Sequence, residues 1–425
     1  MSIRMSQILI AAMTLLQAII LQPAQAAGLE WSQWRGPNRD AVSRETGLQK
    51  SWKEGGPRLL WKSTGVGNGY ASLAIVEDKI FTMGRKDKQD FLEAFALDGG
   101  KKLWSTPFAE GGDAPTGSPT VDGGLVFAIS NGGELVCCNA ADGKIVWQKN
   151  FEKDFGGKMM SSWGFSESPL IDGDRLLCTP GGSDAMIVAL DKRTGETLWK
   201  SSVPPIGDKG GDGAGYSSIV ISHACGVKQY VQMTGRGVIS VDAKDGTFLW
   251  GYNKVANGTA NIPTPIVKED YIFCSTGYGT GSALLKIQKA DGKLTAHEEY
   301  FLDAKTLQNH HGGLILVGDY IYGGHGHNNG FPVCFELLTG KPMWNAKRGP
   351  GEGSAAVVYA DGNLYFRYEN GKMALIGADP EKYEVKGTFD IPKGGEPSWS
   401  HPVILGGKLY LREQDQLLCY DIARE

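Results

Sequence analysis

Beyond its first thirty residues the chain has no long apolar run, no cluster of lysine or arginine, and no metal-type cysteine spacing. Each absence removes a class of protein. Without a second run of about 20 apolar residues, no membrane-spanning helix is expected in the mature chain. With 43 Lys+Arg against 47 Asp+Glu and a net charge of −4, no basic face is available to nucleic acid. The seven cysteines are odd in number and scattered, with no C-x-x-C, so neither a disulfide framework nor zinc is expected. No G-X-Y period accompanies the 60 glycines, which excludes collagen, and 41% hydrophobic residues exclude wholesale disorder. What remains is a large β-rich protein, because abundant Gly with 10% aromatic residues suits many short strands and tight turns.

The compartment is read from the start of the chain. Arg4 precedes an apolar run from Ile8 to Leu21 that is interrupted by Gln17, and Ala24-Gln25-Ala26 follows. A charged start, a short apolar core and small residues at a cleavage site make residues 1–26 a signal peptide. The mature protein is expected to begin near Ala27 and to be periplasmic or secreted. Cys137 and Cys138 are adjacent, but they lie in a strand-like segment. Neighbouring strand side chains point to opposite faces, so packing rather than pairing is expected there.

One unit recurs eight times. A strand, a short turn and a strand ending in Trp occur from Ala96 to Trp104, Asn139 to Trp147 and Ala189 to Trp199. Further copies run from Val241 to Trp250 and Cys334 to Trp344. Weaker copies pass through Ala290 to Ala296 and Ala378 to Phe389, and Pro57 to Trp61 carries the last strand alone. Successive copies are 43 to 52 residues apart. The other half is a hairpin, as in Ser118 to Phe127, Ser168 to Leu177, Thr264 to Phe273, Gly313 to Tyr322 and His401 to Tyr410. Apolar runs joined by Asp-Gly or Gly-Gly are hairpin signals, because those residues accept positive φ. Four strands per unit at this period predict an all-β, eight-bladed β-propeller of four-stranded blades. The last hairpin and Gln416 to Asp421 lack a closing strand, and Pro57 to Trp61 lacks a hairpin. Joining them closes the ring at Trp61 and removes the open edges. Residues 57–425 are therefore the propeller. Residues 27–56 lead in, and Trp31, Trp34 and Trp52 are expected to pack on it.

The pattern from Ala189 to Trp199 resembles the PQQ-like repeat of bacterial eight-bladed propellers over nearly the whole mature chain. Members of that group include quinoprotein dehydrogenases, which bind pyrroloquinoline quinone, and the outer-membrane assembly factor BamB, which binds proteins. The segment Trp31 to Arg39 and the tail from His401 to Asp421 are similar to secreted bacterial PQQ-like proteins. Two departures matter. Quinoprotein alcohol dehydrogenases carry calcium and catalytic elements in insertions, for which the short spacings leave little room. BamB is usually a lipoprotein, yet the first cysteine here is Cys137.

In a propeller, the loops leading into the innermost strands and those between second and third strands share one channel mouth. The first set supplies Tyr70, Trp163, Glu167, Tyr216, Asn261, Asn309, His310, His311, Trp399 and His401; the second supplies Arg85, Arg236, His325, His327, Arg367 and Arg412. Trp163, Glu167, His310, His311, Trp399, His401 and Arg412 are the candidate binding residues. Aromatic rings beside convergent donors would suit a small planar anionic ligand. No metal site is expected, since adjacent His310 and His311 need not converge. The function expected is a binding or scaffold module for a protein or envelope component. The alternative is a quinoprotein oxidoreductase using pyrroloquinoline quinone with calcium. There Glu167 would act as base or cation ligand, and Trp163 or Trp399 would stack on the quinone.

Overall fold

The computed structural model describes residues 30–344, 348–395 and 397–424. The signal peptide expected over residues 1–26 lies outside them. Eight antiparallel sheets follow one another around a central channel. Blade 1 consists of Ala74–Val76, Lys79–Lys86, Gln89–Ala96 and Lys102–Glu110, ordered from the channel outward. Blades 2 to 5 repeat this order within residues 120–150, 170–201, 220–252 and 266–303. Blade 8 joins Val403–Leu405, Lys408–Glu413 and Gln416–Asp421 to Arg58–Thr64 from the other end of the chain. Trp61 pairs with Cys419 in that closing ladder. The ring is thus an eight-bladed β-propeller closed at the expected strand.

Two blades depart from the four-strand plan. Among the described residues, blade 6 shows three strands, Leu314–Val317, Tyr320–His325 and Phe331–Glu336, and a single bridge from Phe335 to Pro342 at the position of the fourth. Proline has no N–H to donate and is poorly suited to extend a ladder. Blade 7 gains a fifth strand, Val42–Ser43, which runs parallel to Ala355–Ala360 and comes from the lead-in.

The repeat motif explains how blades lock together. Gly143 takes φ 73°, and a Cβ there would come within 2.6 Å of Trp104 from the preceding blade. The Trp104 indole donates to the Ala140 carbonyl at 3.2 Å. The Asp-Gly turn of one blade is therefore the seat for the Trp of the blade before it, which requires glycine twice over. Gly100 meets Trp61 in the same way and carries the contact across the ring closure. In blade 5 the stacking residue is Tyr300, not Ala296: its hydroxyl donates to the Leu337 carbonyl at 2.6 Å, and its ring covers Gly340. Longer strands, Gly281–Ala290 and Lys293–Asp303, push the Asp-Gly turn outward there. In blade 7 the residue at the Trp position is Gly387, and the space above it is filled by Trp52 from the lead-in. Trp52 packs edge-on against Tyr365 and Phe389. Cys137 and Cys138 are buried free thiols that enter different inter-blade cores, as their opposite-facing geometry requires.

Candidate functional site

The lead-in closes the channel. Trp31 exchanges two backbone hydrogen bonds with Ile75 of blade 1, and the Ser32 carbonyl accepts from Val121 of blade 2. Arg39 donates to the carbonyls of Ser168 and Pro169 in blade 3, and Arg35 donates to Leu314 of blade 6 at 2.5 Å. The Ala41 carbonyl then accepts from Tyr359 of blade 7. Eleven residues, Trp31 to Ala41, therefore bridge five blades across the axis. Arg35, Arg39 and Ala41 all have φ near 60°, a costly conformation for residues with a Cβ. These buried arginines hold the plug through their Nη groups, which donate to backbone carbonyls and, for Arg39, to Gln33 Oε1, and burial lowers Arg35 to about 10 and Arg39 to about 9.

Above the plug lies a cavity of about 700 Å³, and below it a second of about 530 Å³ lined by Ile171, Ile221, Ile266 and Leu316. The upper cavity opens at the mouth that the loop arithmetic describes. Its walls carry Tyr70, Trp163, Tyr216, Tyr278, His310, His311 and Trp399, and its floor carries Trp34, Arg35 and His401. The rings form a nearly continuous arc. Tyr70 lies 4.7 Å from Trp399, Trp399 4.8 Å from His311, His311 4.3 Å from His310, and His310 5.3 Å from Tyr278, between ring centroids. Trp163 faces them from blade 3. It is 48% exposed, and its loop is tied by its carbonyl to Asn131 and by its N–H to the Tyr216 hydroxyl.

The imidazoles here are electrically quiet. Burial lowers His310 to about 4, helped by His327, and lowers His401 to about 3, helped by the Arg35 charge. His311 is pushed well below its ordinary value for the same reason. All three are neutral near pH 7. His310 shares one ring nitrogen with Ser354 at 2.7 Å and the other with the Tyr278 hydroxyl at 3.0 Å. Thr116 Oγ1, His311 Nε2 and Trp399 Nε1, all on lining residues, are closed off from solvent with no hydrogen-bond partner. Among the described residues no group of three or more His, Cys, Asp or Glu is arranged to hold a metal.

Five of the seven candidate residues, Trp163, His310, His311, Trp399 and His401, line this one cavity. The other two lie in its supporting walls. Glu167 accepts from Thr179 N at 2.5 Å, Thr179 Oγ1 at 2.8 Å and Gln232 Nε2 at 3.0 Å, and burial raises it to about 8. Arg412 donates to the carbonyls of Gly67, Met83 and Gln414 and so ties blade 8 to blade 1. The loop that presents Trp399 has its own anchor, the fully buried pair Arg367–Glu413. Arg367 donates to the Ser400 carbonyl at 2.6 Å, and Ser398 donates to Glu413 at 2.7 Å.

Sequence reasoning missed Trp34, which was expected only to pack but forms part of the cavity floor. It also missed Asp113, in an entry loop, and Asn131, Tyr278 and Gln414, in loops between second and third strands, although those are the loop classes that form the mouth. The available signal was the segment Trp31 to Arg39 itself, which the blade motif does not demand.

Comparison with known proteins places this geometry in context. A family model described as outer membrane protein assembly factor BamB matches residues 88–346. The outer membrane protein assembly factor BamB of Shewanella oneidensis is 23% identical over 295 residues, covering 66% of this chain and 69% of its own length. The crystal structure of BamB from Moraxella catarrhalis superposes with a TM-score of 0.59 at 14% identity, over 87% of this chain and 98% of that one. Quinohemoprotein alcohol dehydrogenase from Comamonas testosteroni gives a TM-score of 0.66 at 12% identity, over 93% and 81%. At such identities the two structures establish likeness of fold alone.

Proposed function

The chain belongs to the family described as outer membrane protein assembly factor BamB, and we propose on that premise that it is a binding propeller of the cell envelope. It acts as a periplasmic or secreted scaffold that engages a protein or envelope component at the plugged channel mouth. The observation that carries this reading is the cavity above Trp34. Rings from the lead-in and from blades 1, 3, 4, 5, 6 and 8 converge on it, although no packing role of the repeat asks for them. Aromatic side chains with a few placed polar groups are the usual lining of a ligand site. Among the residues named at the mouth, Trp163, His310, His311, Trp399 and His401 are the contact set, while Glu167 and Arg412 hold the walls. The test is a photo-crosslinking residue at position 163 in cells, which should capture one envelope component, against position 198 on the outer strand of blade 3, which should not.

The quinoprotein reading draws on fold likeness to the alcohol dehydrogenase, but the residues around the mouth do not fit the cofactor. Calcium would need converging oxygen ligands, and the buried carboxylate nearest the wall, Glu167, is fully engaged with Thr179 and Gln232. The several carboxylates of the quinone would need several cations, and the lining offers one guanidinium, Arg35, whose Nη2 is already engaged by backbone carbonyls. No redox step is derived for this chain.

A further inference from the structure

We propose that the mouth cavity takes a neutral carbohydrate, the end of a short oligosaccharide, stacked on its aromatic walls and hydrogen-bonded by the polar groups between them. The proposal rests on the mouth being the binding site and names the chemistry of its ligand.

Three independent features point the same way. The first is shape: Trp34, Tyr70, Trp163, Tyr216, Tyr278 and Trp399 turn the walls into flat apolar surfaces around about 700 Å³ of space. The C–H faces of a sugar ring are apolar and flat enough to pack on such rings, which pair an apolar body with a polar edge. The second is hydrogen bonding. The walls between the rings carry the Asn68 amide and the hydroxyls of Ser166, Tyr216, Thr264 and Tyr278, groups that both donate and accept. A ligand rich in hydroxyls matches them, because each hydroxyl also does both.

The third feature is charge. An anionic ligand would meet a single guanidinium, that of Arg35, whose Nη2 is taken by the carbonyls of Leu314 and Asp40, among neutral histidines and with the Asp113 carboxylate at the rim. Its charge would be desolvated with only that partly engaged group to compensate. A cationic ligand would descend toward the Arg35 guanidinium, while the carboxylate of Asp113 stays on an exposed loop at the rim. Neutral ligands avoid both penalties. The planar anion that the sequence suggests is therefore the weaker fit.

The test is a titration of indole fluorescence, for which Trp34, Trp163 and Trp399 are built-in reporters. The probes are maltotriose, cellotriose and N,N′,N″-triacetylchitotriose, with trigalacturonate as the anionic control. At least one neutral trimer should saturate the signal, and trigalacturonate should not. Trp163→Ala and Trp399→Ala should each weaken that binding by about tenfold or more. Trp163 is half exposed, so its variant keeps the fold even if the other does not. The proposal is overturned if no neutral trimer shifts the signal by about 10 mM, a range covering even weak sites, or if trigalacturonate binds as well. If sugars fail while position 163 still crosslinks an envelope polypeptide, the carbohydrate assignment falls and the mouth stands. If sugar binding survives both substitutions, the mouth falls with it.

Discussion

Trp34 and His401 meet edge to face with ring centroids 4.4 Å apart at 61°. One residue comes from the lead-in and the other from the last blade, so the cavity floor exists only when both ends of the chain are in place. The same dependence runs through Trp52, which supplies blade 7 with the stacking ring that Gly387 cannot. The lead-in is thus a structural part of the propeller as well as the base of its site.

Replacing Trp52 by Ala should therefore cost about 3–5 kcal/mol, as for other large buried aromatics. Chemical denaturation measures it. An unchanged midpoint would mean that blade 7 does not need the borrowed ring.

The Arg367–Glu413 pair predicts a second loss. Both side chains are buried, at 0% and 1% exposure, and removing one partner of such a pair typically costs about 3–5 kcal/mol. Glu413→Gln should lower the denaturation midpoint, and because Ser398 and Ser400 depend on the pair, it should also perturb the Trp399 fluorescence. Loss of neither signal would show that the loop is held otherwise.

Stability should depend on pH in two opposed ways. The mouth histidines are depressed in the fold, so the unfolded chain takes up their protons first. Their contribution is complete above about pH 6.5 and is lost as pH falls toward about 4 for His310 and about 3 for His401. Glu167 is raised from an ordinary value of 4.5 to about 8. Between those values the folded state holds the extra proton, and stability falls as pH rises, at up to about 1.4 kcal/mol per unit. Glu167→Gln should remove that slope, so the variant gains on the wild type between pH 5 and 8. Parallel profiles in urea denaturation at pH 5, 6.5 and 8 would contradict it.

Much of the fold was legible because its signals are local and repeated. The Asp-Gly turn and the Trp that covers it recur often enough that one damaged copy does not hide the rest. Blade 5 shows the limit: its stacking ring is Tyr300, displaced by a longer hairpin, and the period alone points to Ala296. The mouth was legible as a set of loops, which is how Trp163, His310, His311, Trp399 and His401 could be named together. Which way each side chain turns was not legible. Glu167 and Arg412 both sit in mouth loops, yet one bonds to Thr179 and Gln232 and the other to four backbone carbonyls and Thr82. Trp34 escaped because long-range crossing of the channel by a non-repeated segment leaves no periodic trace.

Purified protein mixed with pyrroloquinoline quinone and calcium should show neither a retained chromophore nor dye-linked alcohol oxidation. A stoichiometric chromophore with turnover would restore the oxidoreductase reading and displace the scaffold.

Terminal sequencing of the protein recovered from the periplasmic or secreted fraction should place the mature start near Ala27. Intact Met1 in a cytoplasmic fraction would remove the envelope from the account.

The proposed function requires this propeller to make contact at the plugged mouth and not at the opposite face. The most direct measurement places one photo-crosslinking residue at position 163 and another at position 142, in an exposed Asp-Gly turn between third and fourth strands. Crosslinks should form from position 163 alone and disappear when Trp399 is replaced by Ala. Crosslinks from position 142 alone, indifferent to Trp399, would put the binding face on the other side of the ring.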